Sequence, residues 1–324
     1  MPNPRSRQIC LQATPYYHCV SRCVRRAFLC GKDKFSNKSF EHRREWVERR
    51  LLFLSEIFCI DICAYAVMTN HCHLVLHVDK NKAEALSDTE VIHRWHRVCK
   101  GTLITQQFIE AGHISESLVA TLNATITTYR NRLFDISWFM RLLNEPIARM
   151  ANAEDNCTGR FWEGRFMSQA LLDEPALAAC MTYVDLNPLR AGIAQTPETS
   201  MYTSIRRRVS SALKGRQPEK LMKFVGDAKE NMPSGLPFKF EDYLNLLDLT
   251  SRVIKDKNCG YIDSNAPNIL ARLNISSQSW LSLTTRFEFH FRGPAGHKVS
   301  LTHLCEIQNR ERRINMGSSK KFFI

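Results

Sequence analysis

The chain has 324 residues, 44% of them hydrophobic, and its 45 Lys and Arg against 32 Asp and Glu give a net charge of +13. It is long enough for two domains, or for one domain with large insertions. No apolar run approaches the ~20 residues needed to cross a bilayer, which excludes a membrane-spanning protein. The charge and a pI near 9.3 predict a polyanionic partner.

The N-terminal quarter follows a β-α-β-β pattern. Residues 16–24 read as a strand, and the apolar positions of residues 41–58 recur at helical spacing. Residues 59–68 and 71–78 read as two further strands, joined by a turn at residues 69–70. This order predicts an α+β fold, with a ferredoxin-like antiparallel sheet and flanking helices.

The middle of the chain is predicted to be helical. Residues 80–131 are polar and carry no strand signal, which indicates a helical insertion of two or three helices. Residues 137–150 form an amphipathic pattern that Pro146 should kink or restart. Asp173 is a suitable N-cap for another helix, which must end by Pro188.

The last third of the chain changes character. Residues 201–237 are basic and rich in turn residues, which predicts a linker. Residues 238–324 read as a small, mostly helical C-terminal module whose role the sequence leaves open. Residues 1–200 then form the main domain.

The twelve cysteines argue against a disulfide scaffold. They are scattered, mostly within apolar stretches, and no signal peptide precedes them. Cys19 and Cys23 are not followed by a second close pair, so a structural zinc protein is a poorly supported alternative. Buried thiols in a reducing compartment are expected, which predicts a soluble, cytoplasmic protein.

Two short patterns carry chemistry. On the third predicted strand, His71 and His73 lie on one face because side chains alternate along a strand. On the helix that follows Asp173, Tyr183 and Asn187 are four residues apart and therefore share a face. Two imidazoles and a carboxamide can hold a divalent metal, and a tyrosine beside that metal can act as a nucleophile.

These patterns resemble a known family. The sequence AYAVMTNHCHLVL at residues 64–76 is similar to the HUH segment of the single-tyrosine HUH transposases, although Thr69 stands where that family usually has proline. The arginine-aromatic run GRFWEGRF at residues 159–166 and YVDLNPLRAG at residues 183–192 resemble the REP-associated tyrosine transposase branch. The resemblance covers roughly residues 12–200, interrupted by the insertion.

The resemblance implies a site and an activity. His71, His73 and Asn187 would ligate Mg²⁺ or Mn²⁺, and Tyr183 would be the nucleophile. Such enzymes cleave single-stranded DNA beside a hairpin, leaving a 5′-phosphotyrosine and a free 3′-hydroxyl for strand transfer. Arg190 is expected to anchor the helix end or a phosphate.

DNA contacts are expected near the N-terminus and in the arginine-aromatic run. Residues 1–50 hold twelve Lys and Arg against four acids. Phosphates would be gripped by arginines and a base stacked on Phe161 or Trp162. The arginines are Arg22, Arg25, Arg26, Arg160 and Arg165. The protein would then be nucleoid-associated, as a monomer or homodimer. The alternative is a catalytically silent hairpin-DNA-binding protein or repressor.

Overall fold

The computed structural model describes residues 4–24, 29–32, 37–226, 234–255, 268–311 and 314–323. Its strands are β1 (Tyr16–Arg22), β2 (Ile60–Val67), β3 (His71–Val78) and β4 (Met167–Leu171). The helices are α1 (Arg5–Gln8), α2 (His42–Ile57), α3 (Lys80–Ala85), α4 (Asp88–His96), α5 (Leu103–Ala111), α6 (Glu116–Leu133), α7 (Ile136–Glu154), α8 (Glu174–Asp185), α9 (Asn187–Arg190), α10 (Ser204–Ala212), α11 (Phe240–Lys255), α12 (Asn268–Arg272), α13 (Ser277–His290), α14 (Lys298–Ile307) and α15 (Met316–Phe322). Among the described residues, no helix is both long and apolar enough to traverse a lipid bilayer.

The four strands form one sheet in the order β2-β3-β1-β4. β1 is antiparallel to both β3 and β4. This is the strand order of a split β-α-β fold, so the predicted ferredoxin-like α+β class is confirmed. β4 was not predicted from the sequence, and only two of its five residues are buried.

The chain divides into two compact units, and the sheet belongs to the first. This unit comprises Met1–Arg44, Ile62–His77 and Trp162–Ile324. Helix α8 lies at its centre, because every residue from Pro175 to Asp185 is buried. The Asp173 side chain accepts a hydrogen bond from the Ala176 amide at 3.1 Å, which confirms the predicted N-cap.

A buried polar network ties α8 to the segments after residue 200. The Asp185 carboxylate accepts hydrogen bonds from the hydroxyls of Ser204 on α10 and Tyr243 on α11. Arg208, fully buried on α10, donates to the carbonyl of Cys63 on β2 at 2.7 Å. The segment predicted as a basic linker therefore contains a helix whose polar side chains are built into the first unit.

The second unit, Glu45–Asp61 with Val78–Phe161, is helical. The predicted insertion contains α3 to α6. Helix α7 continues through Pro146 instead of restarting there. Proline has no amide hydrogen to donate to the carbonyl of Leu142, four residues earlier. The Arg50 side chain donates to that carbonyl instead, at 3.0 Å. The Leu142 carbonyl therefore keeps a hydrogen-bond partner although the backbone bond is absent.

Candidate active site

The sheet and α8 bring three of the four predicted chemical residues together. The His71 and His73 rings lie on one face of β3 with centroids 4.7 Å apart, and the Tyr183 ring lies 5.7 Å from that of His73. His73 is fully buried, whereas His71 is half-buried at the start of the strand. Asn187 is 8% exposed and begins α9, directly after the helix that carries Tyr183.

Two further residues, His18 on β1 and Glu288 on α13, complete this cluster. His18 Nε2 lies 2.9 Å from His73 Nδ1. Glu288 Oε1 lies 4.0 Å from the same His73 nitrogen. One ligand atom from each of these three residues falls within 4.8 Å of the others, which makes them a possible cation-binding group. Sequence reasoning named neither His18 nor Glu288.

Hydrogen bonds around Gln169 fix which nitrogens of the cluster carry protons. The Gln169 amide nitrogen donates to the carbonyl oxygens of Phe291 and Gly293, at 2.7 and 2.6 Å. Its Oε1 must therefore accept from His18 Nδ1, at 3.1 Å. In neutral imidazole one nitrogen donates and the other accepts, so His18 Nε2 accepts from His73 Nδ1. This leaves His73 Nε2 unprotonated, with a free lone pair.

The lone pair of His73 is buried and has no hydrogen-bond partner in the described part of the chain. A similar arrangement holds at His71, because its Nδ1 lies 2.6 Å from Asn70 Oδ1 and donates to it, leaving Nε2 to accept. Metal-bound imidazoles generally donate their second nitrogen to an acceptor in this way. Both Nε2 atoms therefore carry a lone pair that can ligate a divalent cation, so the residues present fit a metal.

The histidines are neutral at physiological pH. Burial lowers the pKa of His71 to about 4, with smaller contributions from Arg22 and His18. Burial also lowers the pKa of His73 well below its ordinary value, and the neighbouring His18 and His71 lower it further. Because metal ligation requires neutral imidazole, no proton needs to be displaced from either ring before a cation binds.

The Tyr183 phenol lies between a carboxylate and a guanidinium. Its hydroxyl donates to Glu288 Oε2 at 3.2 Å, and the Arg190 guanidinium lies 4.1 Å from its ring centroid. Burial raises the pKa of Tyr183 far above its ordinary value, Glu288 raises it further and Arg190 lowers it. The phenol is thus protonated at neutral pH, and its attack on a phosphate requires transfer of that proton.

Arg190 is half-buried at the end of α9. One guanidinium nitrogen donates to the carbonyl of Thr284 at 2.9 Å. The other, Nη2, is buried with no partner among the described residues. Burial lowers the pKa of Arg190 to about 10, so the group stays charged at neutral pH. An orphaned N–H donor beside a phenol can bind an anionic oxygen.

The residues predicted to contact DNA differ in accessibility. Arg22 is exposed at the end of β1, paired in register with His71. Arg160 and Arg165 are exposed and Trp162 is half-buried. Phe161 is only 3% exposed, so a base could stack on it only if neighbouring residues moved. Arg25 and Arg26 lie outside the described residues.

The chain has limited similarity to known proteins. No protein-family model matches the chain, and no curated protein matches it. Among solved structures, the chain is similar to a REP-associated tyrosine transposase bound to a REP hairpin, at 12% identity and a TM-score of 0.39. The match covers 71% of this chain and 96% of that one.

Proposed function

We propose that the chain is a metal-dependent single-stranded DNA endonuclease and strand transferase, with Tyr183 as its nucleophile. The observation that carries the proposal is that two buried, unpartnered groups flank Tyr183. His73 Nε2 has a free lone pair that can bind a cation, and Arg190 Nη2 is a hydrogen-bond donor that can bind an anion. A phosphoryl-transfer site needs a nucleophile, a cation site and a phosphate clamp.

In this proposal each residue has a distinct role. His71 and His73 hold Mg²⁺ or Mn²⁺ through their Nε2 atoms, with Asn187 as the third ligand. When bound, the metal supplies Lewis-acid polarisation of the scissile phosphate. Arg190 binds a non-bridging oxygen of that phosphate through its free Nη2.

The covalent step is a displacement at phosphorus in which Tyr183 replaces the 3′-oxygen. Tyr183 Oη attacks phosphorus and transfers its proton to Glu288, its hydrogen-bond partner. The bond between phosphorus and the 3′-oxygen breaks, and that oxygen leaves as a hydroxyl after taking a proton from solvent, to which Glu288 returns the proton it accepted. The product is a 5′-phosphotyrosine, which a 3′-hydroxyl can attack in the reverse direction to join strands.

One observation favours a second function, a catalytically silent hairpin-DNA-binding protein or repressor. Tyr183 is 9% exposed and its hydroxyl is already bonded to Glu288. At this exposure a phosphate can reach the hydroxyl only if neighbouring side chains move. The chain would then keep the site as scaffold and act by occupying DNA.

A labelled single-stranded hairpin oligonucleotide with Mn²⁺ separates the two functions. The proposed enzyme yields a protein–DNA adduct that survives denaturation, and Tyr183→Phe abolishes it while DNA affinity is retained, because only one hydroxyl is lost. An undiminished adduct in Tyr183→Phe contradicts the assignment of the nucleophile. DNA binding with no adduct in the wild-type protein favours the silent function.

A further inference from the structure

A groove lined by five arginines among the described residues lies in the first unit, outside the cluster of His18, His71, His73 and Tyr183. We call it the arginine groove. It has a volume of about 630 Å³, and no Asp or Glu is among the described residues that line it. Its arginines come from α1, from the loop before β4 and from the loops after α13 and α14. They are Arg5, Arg7, Arg165, Arg292 and Arg310.

Two of these arginines hold the walls of the groove in place. Arg5 donates to the carbonyl of Phe166, and its guanidinium lies 3.6 Å from the Phe166 ring centroid. Arg310 donates to the carbonyl of Arg7, which joins the loop after α14 to the N-terminal helix. The groove is therefore built by contacts between segments that are distant in sequence, rather than by one basic run.

The other three arginines present unneutralised charge. Arg7, Arg165 and Arg292 are exposed, and none forms an ion pair with a carboxylate in the described ranges. Like charges gathered around one depression repel each other unless an anion lies between them. A single phosphate group carries at most about two negative charges, fewer than the charges of the three exposed arginines. A polymer with one charge on each phosphate matches the groove better.

The groove also lies next to the candidate active site. Gly293 lines the groove, and its carbonyl accepts the hydrogen bond from Gln169 that orients His18. The Gln169 side chain therefore connects the groove wall to the His18–His73 pair.

We infer that the arginine groove binds the phosphate backbone of DNA on one side of the scissile phosphate. The inference rests on the proposed function for the identity of the polymer. The wall residues Phe166, Met167 and Pro294 offer apolar surface to sugars but few groups that could read base edges. The groove contributes affinity without sequence preference.

Fluorescence anisotropy of a labelled hairpin oligonucleotide with a single-stranded flank, measured across a salt series, tests this. Each single-strand phosphate contact contributes about −0.7 to the log–log salt slope. Replacing Arg7, Arg165 and Arg292 by Gln should flatten the slope by roughly two units and weaken all sequences alike. The control removes the same charge elsewhere, through Lys100→Gln, Lys214→Gln and Lys223→Gln, and should leave the slope close to that of the wild type.

A slope that the arginine variant retains overturns the inference, as does an equal loss in the lysine control. Vesicles containing phosphatidylserine provide a further arm. If the arginine variant loses vesicle binding but keeps DNA binding, the groove serves a lipid surface and the inference is wrong. If the salt slopes of the wild type and the arginine variant differ as expected but the wild-type protein forms no adduct, only the proposed chemistry is contradicted.

Discussion

His18 Nε2 lies 2.9 Å from His73 Nδ1, although the two residues belong to neighbouring strands and are not register partners. Their rings are nearly parallel, with centroids 5.2 Å apart. Since Gln169 fixes His18 as the acceptor, this contact makes His73 Nδ1 a donor. His73 Nδ1 is then unable to ligate a cation, and the available atom is Nε2, which faces away from the His18–Glu288 side of the ring.

This relationship predicts that His18 is a positioning residue for metal binding. His18→Phe keeps a ring of similar size but removes the acceptor, so His73 loses its preferred tautomer. Loss of such an outer partner typically weakens metal affinity about 10–100-fold. Mn²⁺ affinity from electron paramagnetic resonance measures the effect, and ¹⁵N NMR should find His73 protonated at Nδ1 only when His18 is present. Unchanged Mn²⁺ affinity in His18→Phe would contradict the prediction.

The sheet and most helices were predictable because their signals are local. Runs of β-forming and apolar residues, with a turn between the second and third, predicted β1 to β3, and Asp173 marked the start of α8. β4 was missed because its sequence MSQAL lacks β-branched and aromatic residues. It becomes a strand through pairing with β1, as in the register of Gln169 with His18.

The candidate site was predictable only in part, for the same reason. His71 and His73 share a strand, and Tyr183 and Asn187 share neighbouring turns, so spacing alone relates them. His18 could have been found by pairing the two predicted strands, because it lies on the face of β1 that adjoins His73. Glu288 had no local signal, since the packing of α13 on α8 brings it to Tyr183. No spacing rule anticipates that contact.

Asp185 is predicted to be a major contributor to the stability of the first unit. It is the buried acceptor for Ser204 and Tyr243, and it faces the buried Arg208. Asp185→Ala leaves an uncompensated buried cation, which should lower the free energy of unfolding by about 3–5 kcal/mol. In the control, Asp248→Ala breaks only the exposed pair with Arg252 and should cost less than about 1 kcal/mol. Similar urea midpoints for the two variants would contradict this role.

Glu288 is predicted to accept the phenolic proton. Glu288→Gln keeps a hydrogen-bond acceptor for Tyr183 but removes the base, so the rate of adduct formation should fall about 10²-fold or more. Removing the negative charge should also lower the pKa of Tyr183, which ultraviolet titration of the phenol measures against Tyr183→Phe. Glu306→Gln, an exposed change on α14, should alter neither quantity. Faster adduct formation in Glu288→Gln would instead indicate that Glu288 restrains the nucleophile.

The histidine pair predicts how stability depends on pH. The pKa of His71 is lowered to about 4 and that of His73 lies well below 6.5, so the unfolded chain binds more protons than the folded one below about pH 6.5. Stability is therefore fully present above that pH and is lost as the pH falls towards 4. Each histidine contributes up to about 1.4 kcal/mol per pH unit to the slope. Urea unfolding in EDTA from pH 4 to 7.5 should give a shallower slope for His71→Gln, and an identical slope would contradict the prediction.

The last prediction separates the metal ligands from a neighbouring histidine on the same strand face. His71→Ala and His73→Ala each remove a proposed ligand, so Mn²⁺ binding and adduct formation should be lost, because a weakly held divalent ion tolerates few missing ligands. Asn187→Ala should reduce both less severely, since water can replace a neutral amide oxygen. His77 lies on the same face of β3 but its ring packs at a tilt against that of Tyr16, with centroids 4.9 Å apart. His77→Ala should therefore retain Mn²⁺ binding, as measured by isothermal titration at pH 7.5. If His73→Ala binds Mn²⁺ as tightly as His77→Ala does, the pair His71 and His73 is not the metal site, and the group of His18, His73 and Glu288 is also excluded because it shares His73.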